Sequence, residues 1–171
     1  SLCETDFASQ RIASDFNIDG FKTYIPIPCQ GTEKIRLVIL IKNEMTKHCR
    51  VVEEKGPQYM PSKWICLKYP KSQNYLLGGC YREWGSGEER AINEQNHRLD
   101  QFEAQMMNKM ERCHAEVWLA GDFNLNVQRF KDCNWQLKKV ADRFTEMCEK
   151  NSLKILDAGP TFNYVKNEEV R

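Results

Sequence analysis

Asp122 and Asn124 stand one residue apart at the end of an apolar run, in the octapeptide VWLAGDFN of residues 117–124. The apolar part reads as a short buried strand. In extended chain this spacing puts the carboxylate and the amide on one face and turns Phe123 toward a core. The carboxylate can accept a proton or hold a water, and the amide can donate to a phosphate or carbonyl oxygen. Gly, Asp and Asn are also the residues that close a strand with a turn, so GDFN alone admits a structural reading too. Glu4, in Leu2-Cys3-Glu4-Thr5, and Tyr81, at the end of YLLGGCY, add a second carboxylate and a phenol. Their ordinary counterparts are a solvated acid near a chain end and a tyrosine at the margin of a core. Arg82 reads as solvent-facing, with contact to an anionic group such as a phosphate as the alternative. His97 and His114 have no carboxylate at a telling spacing and read as exposed helix and turn residues.

The elements that must position these residues follow from periodicity. IRLVILI, residues 35–41, is nearly all apolar and fits a strand covered on both faces. Residues 21–27 read as a strand running into Pro26 and Pro28, residues 49–53 as a short alternating strand, and residues 64–69 as another. YLLGGCY, residues 75–81, reads as a buried strand in which Gly78-Gly79 allows close backbone approach or a bulge. Residues 1–20 begin with Leu2-Cys3-Glu4-Thr5, followed by a polar, weakly helical stretch around Phe7, Ile12 and Phe16 that ends near Asp19-Gly20. From Glu89 to Arg112 the period changes: Leu99, Phe102, Met106 and Met110 fall at helical spacing. Leu137, Val140, Ala141, Phe144 and Cys148 define a second amphipathic helix with Asn151 as its stop. Residues 153–156 read as a short strand, and Gly159-Pro160 turns the chain into a last segment in which Phe162 packs. Strands followed by helix, strand, helix and strand predict sheets covered by helices.

The chain has 171 residues, enough for one domain with a sizeable core. Its net charge of +1 gives no global attraction to nucleic acid, so any DNA contact needs a local patch. No apolar run approaches a membrane span and no signal peptide is visible. The eight cysteines include no CxxC pair and the three histidines are scattered, which argues against zinc. Reduced, core-filling thiols of an intracellular protein fit better. The start at Ser1, a few residues before an apparent motif, suggests a fragment or a processed product.

Several of these pieces align with one superfamily. In order they are Glu4-Thr5, the strand at 35–43, Gly78-Gly79-Cys80-Tyr81-Arg82-Glu83, the helix around 97–110, AGDFNL at 120–125 and Gly159-Pro160-Thr161-Phe162. The sequence resembles the endonuclease/exonuclease/phosphatase superfamily, and within it the apurinic/apyrimidinic-endonuclease-like domain of non-LTR retrotransposons. The resemblance spans essentially the whole chain. It implies an α/β (α+β) sandwich over residues 1–171, two packed mixed β-sheets flanked by helices, here incomplete at both termini. It also implies Mg²⁺-assisted hydrolysis of a DNA phosphodiester, with Mn²⁺ as a substitute ion, and a nuclear location for an active element. Glu4 would be the metal ligand, a hard carboxylate oxygen suited to Mg²⁺. Tyr81 would donate to a phosphate oxygen or help the leaving group. Asp122 would orient or deprotonate the attacking water, and Asn124 would hold the phosphate.

The sequence also departs from the family pattern. The family's Asn upstream of the metal-binding Glu has no counterpart in the three residues before Glu4, and no Ser-Asp-His tripeptide occurs. The expectation is a partial copy or a decayed relic of such a domain, with impaired or no cleavage. The competing readings are a non-catalytic remnant and a same-fold phosphoesterase acting on an inositol phosphate or phospholipid.

Overall fold

The computed structural model describes residues 2–28, 34–52, 55–83, 89–125 and 135–156, with residues 2–6, 10, 11, 14 and 135–137 described by their backbone. Two β-sheets and flanking helices give an α+β fold. The first sheet joins β1 (Leu2–Phe7), β2 (Phe21–Tyr24) and β3 (Ile35–Lys42) in the order β1-β3-β2, all antiparallel. Between β1 and β2 lies the short helix α1 (Gln10–Asp15), capped by the Ser9 hydroxyl, which accepts from the Ile12 N–H. A 3-10 turn at Asn43–His48 leads to the second sheet. That sheet joins β4 (Cys49–Val52), β5 (Ser62–Leu67), β6 (Asn74–Tyr81) and β7 (Ala115–Asp122) in sequential order. Its first two pairings are antiparallel, but β6 and β7 run parallel. Parallel neighbours need a crossover, supplied by the long helix α2 (Glu89–Cys113). A third helix, α3 (Trp135–Lys150), packs on α2.

The double glycine in β6 explains how the layers approach. A Cβ on Gly79 would meet Ile39 Cδ1 at 2.8 Å, so this position faces the first sheet and lets β3 lie close. A Cβ on Gly78 would meet the Trp64 ring at 2.5 Å and Leu119 Cδ2 at 2.6 Å on the opposite face. Two cores result. One lies between the sheets, around Ile39, Ile41, Ile65 and Leu67. The larger one lies between the second sheet and the helices, where Trp64, Leu76, Phe102, Met106, Val140, Phe144 and Met147 meet. Leu99, Phe102 and Met106 of the predicted α2 stripe are fully buried, and Val140, Phe144 and Cys148 of the α3 stripe are buried with them. β3 buries both faces, as its composition predicts. Cys66, Cys80, Cys113 and Cys148 are buried free thiols; burial pushes Cys66 and Cys148 up to about 11.

Three expectations need correction. The helical reading around Ile12 holds only as α1, and residues 2–7 form a strand that the sequence did not announce, because pairing with the largely apolar β3 overrides local propensity. Residues 153–156 form no strand; the Leu153 N–H closes the end of α3 on the Cys148 carbonyl, and Ile155 and Leu156 stay exposed. β7 is only partly buried. Among the described residues β6 is its sole hydrogen-bonded neighbour, and Trp118 is 55% exposed. Glu53 and the 159–162 segment lie outside the described residues.

Candidate functional site

β6 and β7 end side by side, with Tyr81 in register with Asp122. Gly121 permits this approach: a Cβ there would strike the Cys80 carbonyl. The Arg82 N–H then donates to the Asp122 carbonyl at 2.8 Å, and the chain turns out of β7. Asp122 Oδ1 accepts the Asn124 N–H at 2.8 Å, an Asx turn, and Asn124 takes the left-handed conformation with φ 49°. The Asp122 side chain and the Asn124 backbone are therefore joined by a turn, rather than set on one strand face as the spacing suggested. Phe123 does point inward, its ring packing against Phe144 at 4.7 Å and Phe102 at 6.1 Å between centroids.

Arg82 holds this turn in place. Expected in solvent, it is 4% exposed. Its guanidinium donates to the Phe123 carbonyl, to the Asn124 carbonyl at 2.8 Å and to Gln95 Oε1 of α2 at 2.7 Å. The Asn124 side-chain amide in turn donates to the Arg82 carbonyl. Three acceptors from different parts of the chain draw on the several N–H donors of one guanidinium. Burial lowers its pKa to about 10, with Cys80 and Asp122 acting in the other direction, and it remains a cation at neutral pH.

Tyr81 is also enclosed, at 1% exposure. Its hydroxyl accepts from Arg36 Nη1 of β3 at 3.3 Å, and the same guanidinium lies 5.6 Å from the ring centroid. Arg36 Nε is 3.7 Å from Glu83 Oε1. Burial raises the Tyr81 pKa above its ordinary value. Arg36 lowers it, Glu83 raises it and the Asn124 amide hydrogen bond lowers it, leaving a net rise. The phenol keeps its proton at neutral pH and can act as a donor.

Glu4 lies on β1 between the pairs Cys3↔Leu37 and Phe7↔Ile35, across an irregularity in the pairing. Its backbone thus runs beside the part of β3 that carries Arg36, and β1 in turn approaches β7. The structure therefore groups Tyr81, Asp122 and Asn124 and sets the backbone of Glu4 on the neighbouring strand. His97 and His114 are exposed, as expected. The sequence reading missed Arg36 and Glu83. A signal for Arg36 was present, since one charged residue interrupts the otherwise apolar IRLVILI.

The side chains described at this edge offer oxygen donors, Asp122 and Asn124 Oδ1 among them. That chemistry fits Mg²⁺, which takes one or two carboxylates and keeps several waters. No cluster of three or more His, Cys, Asp or Glu occurs among the described residues. Among them, too, no helix is long and apolar enough to cross a membrane. No protein-family model matches the chain, no curated protein matches it in sequence, and no solved structure matches it.

Proposed function

We propose that the paired ends of β6 and β7 bind and hydrolyse a phosphodiester of DNA with Mg²⁺, or Mn²⁺ in its place, in the manner of the retrotransposon endonucleases that the sequence resembles. The observation that carries this reading is the meeting of Tyr81, Asp122 and Asn124, residues from two distant stretches of chain, beside an arginine. Glu4 would hold the metal. When bound, the ion polarises the phosphoryl oxygen and stabilises developing charge. Asp122, fixed by the Asn124 N–H, orients the attacking water and accepts its proton. The Asn124 side-chain amide, held at the Arg82 carbonyl, would offer its other N–H to a phosphate oxygen. Tyr81, a neutral phenol whose pKa burial raises further, donates toward the phosphate or the leaving oxygen.

A second reading has its own observation. Asp122, Asn124 and Arg82 satisfy one another, and Tyr81 is enclosed. A turn that merely closes the sheet would look the same, which favours a non-catalytic remnant. Nicking of supercoiled plasmid separates the two. The catalytic reading expects nicking that needs Mg²⁺, stops with EDTA and disappears in Asp122→Asn. Its rate should be low, because the 171 residues contain no Ser-Asp-His and losing one transition-state donor costs about 100- to 1000-fold. Absence of metal-dependent nicking, or nicking indifferent to Asp122→Asn, supports the remnant.

A further inference from the structure

Arg36 and Glu83 carry no role in the chemistry above, yet they form the accessible rim of the same site. Arg36 is the one charge within the apolar run of β3, and its side chain is 31% exposed against 26% for Glu83. By contrast Tyr81, directly beneath, is enclosed. The Arg36 guanidinium is anchored on Tyr81 by a hydrogen bond and by the ring face, so its plane is held before any ligand arrives. At 3.7 Å the contact with Glu83 is an ion pair longer than a hydrogen bond. A guanidinium presents two parallel N–H groups that match phosphate oxygens, and a loosely held carboxylate is an anion that a phosphate can replace.

We propose that Arg36 is the first phosphate-binding residue of the site and that Glu83 is a resident counter-anion displaced by the phosphodiester. Glu83 thereby sets a threshold for binding. Anions too weak to compete with it are held off, and a DNA phosphate held in register by neighbouring contacts displaces it. This rests on reading the edge as a phosphodiester site, but it requires no hydrolysis, so it is tested separately.

The measurement is fluorescence anisotropy of a labelled DNA duplex with the full chain in EDTA, over a series of salt concentrations. Arg36→Gln should weaken binding about tenfold and reduce the salt slope by about 1. Arg36→Lys should keep the slope and recover part of the affinity, since the charge remains without the fork. Glu83→Gln should tighten binding about threefold. In the Arg36→Gln background Glu83→Gln should have no further effect, because Glu83 acts through Arg36. The opposite signs of the two single variants exclude loss of folding as the common cause, and circular dichroism melts confirm it. Failure of the wild-type chain to bind the duplex overturns the proposal. So do single variants that shift affinity in the same direction, or a Glu83→Gln effect undiminished without Arg36. Nicking that survives while this coupling is absent defeats only the present inference. Coupling without any nicking leaves it standing and defeats the hydrolytic reading.

Discussion

Removing the Arg82 guanidinium would leave the carbonyls of Phe123 and Asn124 and the side-chain oxygen of Gln95 without their donor in a buried place. Unsatisfied buried acceptors cost about 1–3 kcal/mol each in mutational series, with partial relief by relaxation. Arg82→Ala should therefore lower stability by about 3 kcal/mol or more in urea unfolding. Arg82→Lys should recover only part of this, since an ammonium's donors sit on one nitrogen and lack the reach of the guanidinium fork. The sequence placed this side chain in solvent for a physical reason: its acceptors come from a turn some 41 residues away and from α2, and no local pattern encodes their convergence. Arg36 was more legible in principle. A cation inside a strand covered on both faces must find a partner, though the sequence does not say which.

At the scale of elements, the polar joint between α2 and α3 centres on one buried carboxylate. Glu103 of α2 is buried and receives Arg143, Asn151 and Lys150 from α3 and its end. Burial acts to raise its pKa, but the hydrogen bonds from Arg143, Asn151 and Lys150 outweigh it and hold the carboxyl below its ordinary 4.5. The unfolded chain then binds the proton more readily, so this stabilisation is full above about pH 4.5 and is lost as pH falls through the lower folded value. Thermal melts from pH 7 to pH 3 should show a fall in Tm across that window, and Glu103→Gln should flatten it while lowering Tm at pH 7. Helices such as these were readable because each carries its own period: Leu99, Phe102 and Met106 announce a buried face without reference to anything else. Strand β1 and the irregular 153–156 segment were not, because whether a short stretch becomes a strand depends on a neighbour elsewhere in the chain.

For the whole molecule, the consequential surface is the sheet-facing side of β7. Trp118 is 55% exposed there and meets Tyr75 edge-on at 6.2 Å. An exposed aromatic on a strand that has, among the described residues, one hydrogen-bonded neighbour invites edge-to-edge association. Trp118→Lys should reduce light scattering of concentrated protein on warming. The urea midpoint should shift by no more than about 1 kcal/mol equivalent, the value of an aromatic pair. Net charge and composition could not reveal this patch, since the alternation that buries Val117 is what exposes Trp118.

The parallel pairing of β6 with β7 has a kinetic consequence. The two strands cannot zip from a hairpin; the chain must first close a loop across α2, and contacts as distant as Arg82 with Phe123 come after it. Helix α2 can form in microseconds on its own, and the antiparallel pairs β4–β5 and β5–β6 nucleate locally. The Tyr81–Asp122–Asn124 corner is therefore among the late arrivals of folding, and a nascent chain acquires its helical signal before it acquires this corner.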